Sequence, residues 1–130
     1  MKIKAISLKQ PWASLIAEGS KTIETRTWPT NYRGELLICS SKNPKIENLP
    51  VGMALCVATV RDCRPMTRED EQAAMCEYYQ GAYAWILSNI RAIKPFPVKG
   101  SLGIYSVDIQ GFLRSKLNIG VTDVKNQLGN

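Results

Sequence analysis

The chain has 130 residues, 45% of them hydrophobic, with 17 basic and 11 acidic side chains for a net charge of +6 and no histidine. That is the length of one domain with room for a core, and no stretch approaches the roughly 18 apolar residues of a membrane span. The missing histidine excludes Ser-His-Asp and Cys-His catalysis, and the sequence holds neither a phosphate-binding glycine loop ending in Lys-Ser/Thr nor a dinucleotide fingerprint.

Residues 3–8 (Ile-Lys-Ala-Ile-Ser-Leu) read as a first strand. The N-terminus enters it directly, with no apolar signal region, so a cytoplasmic, intracellular protein is expected. Pro11 suits the first turn of a helix, where its missing N–H costs nothing. Trp12, Leu15 and Ile16 then make one apolar face at i, i+3, i+4. Gly19 stops that helix, because glycine enters the left-handed region cheaply. Residues 22–28 are rich in Thr and end on Trp, which favours a strand.

A turn at 31–34 leads to a buried strand over 35–41 and a loop closed by Pro44. A long strand is expected from Met53 to about Asp62. Thr67, followed by Arg68, Glu69 and Asp70, is an N-cap with an acidic first turn, which predicts a helix over about 68–79. Residues 83–93 read as a strand. Residues 95–100 cannot be a central strand, since two prolines remove ladder donors. A last strand follows at 104–109, and 111–130 is expected to be a peripheral helix or tail beyond a domain of residues 1–110. Six strands, often consecutive, with two or three peripheral helices, predict an α+β fold with a mixed or antiparallel sheet that closes toward a barrel.

Charge is uneven along the chain. Residues 1–66 carry ten basic and five acidic side chains, 67–77 carry one and four, and 78–130 carry six and two. A basic body with one acidic patch suits a polyanionic partner; solubility alone explains it equally well. Cys39, Cys56, Cys63 and Cys76 lack metal-finger spacing and read as reduced, mostly buried thiols, so no metal and no cofactor is expected.

The chemistry concentrates in Lys21-Thr22-Ile23-Glu24-Thr25-Arg26-Thr27-Trp28. On a strand Thr22, Glu24, Arg26 and Trp28 share one face, and Thr25 points to the other. Glu24 and Arg26 can therefore pair, with Lys21 joining from the helix–strand junction. As a surface ion pair the cluster adds about 0–1 kcal/mol, so stability is a poor reason for it. A lysine whose pKa is lowered by Arg26 would serve as a base and Glu24 as a proton relay. Gln10, Trp12 and Trp28 can hold a flat, hydrogen-bonding ligand such as a nucleobase, though Trp12 is better explained as a core residue of its amphipathic helix. Lys9, Arg33, Lys42, Lys45 and Lys99 suit phosphate contacts, though each alone fits a solvated surface. Gly100, after Lys99, would let the backbone approach a ligand closely.

Taken together, Leu8-Lys9-Gln10-Pro11-Trp12-Ala13, then Gly19, Lys21, Glu24, Arg26, Trp28 and Arg33-Gly34, with 94–100 and 104–108 behind them, resemble the ASCH family of the PUA-like barrels. The resemblance spans residues 3 to about 109. It is closest to the ASCH domain of the eukaryotic transcription coactivator that names the family. It implies a small barrel with a basic cleft beside the first helix, and related PUA-like domains bind RNA or modified bases. Some ASCH proteins are amidohydrolases that deacylate N4-acetylcytidine with a lysine, a threonine three residues later and a separate glutamate. Lys21 matches the lysine. Glu24 stands where the threonine should, Thr25 is one residue off and faces away on a strand, and Glu69, Glu71 and Glu77 are candidates for the glutamate by location only. The leading expectation is a module that binds RNA, DNA or a nucleotide through Lys9, Gln10, Trp12, Lys21, Glu24, Arg26, Trp28, Arg33, Lys99 and Gly100. The alternatives are an amidohydrolase of modified nucleosides using Lys21 and Glu24, and a protein-interaction domain.

Overall fold

A computed structural model describes residues 1–109; the expected C-terminal segment 111–130 lies outside the described residues. The chain runs β1 (Lys2–Leu8), α1 (Trp12–Ala17), β2 (Ile23–Arg26), β3 (Gly34–Ser40), β4 (Met53–Pro65), a 3-10 turn (Arg68–Asp70), α2 (Glu71–Ala74), β5 (Tyr83–Pro97) and β6 (Tyr105–Asp108). The strands form one curled, mixed sheet in the order β2-β5-β4-β3-β1-β6. Among the described strands only β1 and β3 pair in parallel, and α1 lies in the crossover between them. Register shifts at three points along β4 against β5 bend the two longest strands, which curls the sheet into a half-barrel. No helix among the described residues is long and apolar enough to cross a membrane.

Both faces of the central strands are covered, which explains the unbroken apolar run of β3. Leu36 and Ile38 join Ile6, Leu8 and Trp85 under α1, while Leu37 and Cys39 join Ile3, Ala5 and Val57 on the opposite face. Burial raises the Cys39 thiol pKa to about 11 and the Cys56 thiol to about 12. In α1 the buried positions are Ala13 and Ile16, so the helix is rotated by one residue from the expected face and Trp12 is left 38% exposed. Gly19 ends the helix at φ +88°, donating its N–H to the Ile16 carbonyl.

Three elements depart from expectation. β5 continues through Pro97, but its residues 93–97 lie beyond the β2 pairing, which covers only Tyr83 to Ile86, so the prolines meet a single neighbour strand. β2 stops at Arg26, and Trp28 turns under the sheet to meet Trp85 edge-on at 4.9 Å, 85° between planes. The helix expected over 68–79 is cut to one 3-10 turn and one α-helical turn. Continuing it would require the Tyr78 N–H to reach the Ala74 carbonyl. Instead the Glu71 carboxylate takes the Tyr78 N–H at 2.6 Å, the Ala74 carbonyl accepts from Lys21 Nζ, and Met75 turns left-handed at φ +55°.

Asp70 anchors this truncated unit. Its carboxylate accepts two bonds of 2.8 Å from Arg64 and one of 2.8 Å from the Thr67 N–H. The Arg64 guanidinium is the main reason its pKa falls from 3.8 to about 2. A depressed carboxylate pKa contributes stability above the unfolded value and loses it as pH falls through the folded one. An Asp70→Asn variant is therefore expected to be about 1–2 kcal/mol less stable at pH 7, after allowance for solvent screening of the half-exposed Arg64. Thermal melts should show that deficit disappearing between pH 3.8 and about 2.

Candidate nucleic-acid interface

A cleft of about 480 Å³ opens between the β1–α1 junction, β2 and the segment after α2. Its size is ordinary for a small-molecule site. Lys9, Trp12, Lys21, Glu24 and Arg26, which the sequence scatters over 18 positions, all line it.

Lys21 is the centre. It is 2% exposed, donates to the Ala74 carbonyl, lies 3.7 Å from Glu24 Oε1 and sits 5.5 Å from the Trp12 ring centroid. Its pKa is lowered, mainly because burial disfavours the ammonium; Glu24 works in the opposite direction, and Arg26 adds only a small further lowering. The cause anticipated from the sequence, Arg26, is thus the lesser one. Glu24, 9% exposed, is shared: its other oxygen accepts from Arg26 Nε at 3.0 Å, and the same guanidinium donates to the Ser7 carbonyl at 2.9 Å. The result is a Lys–Glu–Arg chain tied at one end to α2 and at the other to β1. The alternation of β2 accounts for the Glu24–Arg26 pairing.

Thr25 also lines the cleft, although alternation sends it to the other face. β2 is an edge strand, and the chain leaving α2 folds against it, bringing Cys76 Sγ to 3.8 Å from Thr25 Oγ1. Sequence reasoning missed Cys76 and Tyr79 as well, because their position depends on the early end of α2. Ser7 was missed too; its hydroxyl is 2.6 Å from that of Tyr105, whose pKa is raised chiefly by burial.

Three expected ligand residues are elsewhere. Gln10 is 2% exposed and fully occupied: its amide donates to Ser14 Oγ (2.8 Å) and the Pro50 carbonyl (2.7 Å), and its oxygen accepts the Ser14 N–H (3.0 Å). It fastens the start of α1 to the 49–52 turn. Trp28 packs on the core. Arg33 donates to the Thr30 and Tyr32 carbonyls and pairs with Asp62 at 3.5 Å. Lys99 and Gly100 line an adjoining groove. A Cβ on Gly100 would stand 3.0 Å from Ser7 Oγ, so this glycine permits close approach to β1.

Fold and cleft together define a small half-barrel of the PUA-like kind with a charged pocket beside its first helix. Residues 6–97 match the ASCH domain, and the chain belongs to the ASCH domain family. Its relatives include Activating signal cointegrator 1 of Mus musculus and of Homo sapiens, each 27% identical over 127 residues. These alignments cover 79% of this chain and 22% of each relative, so the chain spans about a fifth of their length. Among solved structures, ASCH from Zymomonas mobilis superposes with a TM-score of 0.64 at 16% identity, covering 88% of this chain and 92% of its own. At that identity the likeness establishes the fold.

Proposed function

We propose that this ASCH domain binds nucleic acid, taking one base of a single strand into the cleft. The observation that carries this reading is the pairing of a half-exposed indole, Trp12, with a buried Lys21–Glu24–Arg26 chain in one 480 Å³ cavity. The indole offers a face for stacking, which is worth about 1–3 kcal/mol per base. The chain behind it offers both signs of charge at fixed positions, suited to the donors and acceptors on a base edge. Its charges are largely compensated, so the floor suits a neutral flat group better than a phosphate. Lys9 at the rim is placed for the backbone. The net charge of +6 supports a polyanion as partner.

Fluorescence anisotropy of a labelled eight-nucleotide RNA tests this. With about two phosphates neutralised, affinity should fall roughly five- to tenfold from 50 to 200 mM salt. The same oligomer as DNA, and as a blunt duplex, identifies the preferred strand. No binding to any of them at low salt would end the reading.

Thr25, lining the same cavity as Lys21, favours a second reading. A lysine with a lowered pKa and a hydroxyl in one pocket fit acyl transfer from a modified nucleoside, with Thr25 or a water as nucleophile and Lys21 as base. Chromatography of N4-acetylcytidine incubated with the protein decides it: release of cytidine supports turnover, and unchanged substrate at high protein concentration leaves binding alone.

A further inference from the structure

A second cavity, also about 480 Å³, adjoins the first and shares Ser7, Ser41, Ser101 and Leu102 with it. Its chemistry is different. Two lysines, Lys42 and Lys99, line it, and no carboxylate does among the described residues. The first cavity sets Glu24 against its cations; the second has nothing to offset them. Four serines, 7, 40, 41 and 101, line it as well; the Ser40 hydroxyl is engaged by the Met53 backbone and the Ser7 hydroxyl by Tyr105, so Ser41 and Ser101 are the hydroxyls offered to a ligand. Hydroxyls and ammonium groups without a counter-charge are the donors that phosphate oxygens accept from.

The frame around these groups is fixed by the fold. Gly52 sits at φ +67°, and a Cβ there would meet Lys42 Cγ at 3.4 Å, so the lysine stem lies along the turn. That turn is pinned by Gly52 N–H to the Ser40 carbonyl at 2.9 Å and Val98 N–H to the Gly52 carbonyl at 3.0 Å. Lys99 follows directly, so both cations rise from one hydrogen-bonded junction of the β3–β4 loop and the end of β5. Between the cavities stands Leu102, a leucine 96% exposed. An apolar side chain in open solvent gains from any group that covers it, and here it stands where a sugar linking base to phosphate would pass.

We infer that the Lys42–Lys99 groove is a phosphate subsite, so that the ligand of the cleft is a phosphate-bearing nucleotide unit, base in the Trp12–Lys21 cavity, sugar over Leu102 and phosphate between the lysines. The inference rests on the base-binding reading of the cleft and adds a direction to it: the strand leaves toward the 99–102 loop.

Isothermal titration calorimetry with the four ribonucleosides, their 3′- and 5′-monophosphates and inorganic phosphate separates the two readings. The wild type should bind one monophosphate series about five- to tenfold more tightly than the matching nucleoside. A Lys42→Ala/Lys99→Ala variant should lose that gain and keep nucleoside affinity unchanged; both side chains are exposed and outside the core. Inorganic phosphate alone should bind far more weakly than the monophosphate, because it forgoes the base. If nucleosides and monophosphates bind the wild type equally, or the variant keeps the gain, the subsite is wrong while the base pocket stands. If inorganic phosphate binds as tightly as the nucleotides, the groove is an independent anion site and the inference falls. If nothing binds, the base reading itself fails and takes the inference with it.

Discussion

A Glu24→Ala variant is expected to lose about 3–5 kcal/mol of stability, the cost of leaving a buried charge without its partner. Lys21, with its side chain 3% exposed, would keep only the Ala74 carbonyl and the Trp12 face. Arg26 would suffer less, being 23% exposed and still bonded to Ser7. Urea denaturation measures the loss. Two companion results identify its cause. Adding Lys21→Met to Glu24→Ala should recover most of it, since the stranded ammonium is gone. The deficit should also shrink with rising pH. Lys21 has a folded pKa below 10.5, so the unfolded chain holds the proton more tightly and stability through this group rises with pH up to 10.5. Removing Glu24 lowers that pKa further and widens the window. Cys39 and Cys56, with thiol pKa values raised by burial, destabilise both proteins as pH rises above 9, so they cancel in the difference.

Trp12→Ala should leave the fold intact and weaken binding of a single-stranded oligonucleotide by about 1–3 kcal/mol, or roughly 5- to 150-fold. The side chain is 38% exposed and contributes no core contact of the kind made by Ala13 and Ile16. Trp12→Phe keeps a ring for stacking and should recover part of the affinity. Anisotropy at one fixed salt concentration reads both. A thermal melt of each variant within a few degrees of wild type establishes that binding, not folding, has changed. Full affinity in Trp12→Ala would remove the indole from the interface.

The spacing of Gly19, Lys21, Glu24 and Arg26 was enough to expect a capped helix running into a charged strand, because each step rests on local rules: a left-handed stop, then a two-residue alternation. The six strands were legible for the same reason, but the element order left the sheet mixed or antiparallel, because the parallel pairing of β1 with β3 is a contact distant along the chain. What the sequence hid is set by contacts distant along the chain. The 68–79 helix has a good N-cap and no breaker, yet it ends at Ala74 because Glu71 captures the Tyr78 N–H and Lys21 captures the Ala74 carbonyl. Nothing local announces that. Gln10 looked like a ligand-binding amide, but the Pro50 carbonyl, 40 residues away, uses it. Thr25 was assigned away from the cleft by strand periodicity, which holds within a sheet and gives no guide to what folds over its edge. Leu102, an exposed leucine between Ser101 and Gly103, was the one missed feature with a visible sequence signal.

The most direct test uses the three tryptophans as separate reporters. Their indole N–H resonances in an ¹⁵N-labelled sample distinguish the cleft (Trp12) from the core pair (Trp28 and Trp85), with Trp12→Phe giving the assignment. On titration with the eight-nucleotide RNA, the Trp12 signal should shift along the binding isotherm while those of Trp28 and the fully buried Trp85 stay in place. RNA that binds with the Trp12 signal unmoved, or that shifts the core pair instead, would contradict a base seated in the Lys21–Glu24–Arg26 cleft.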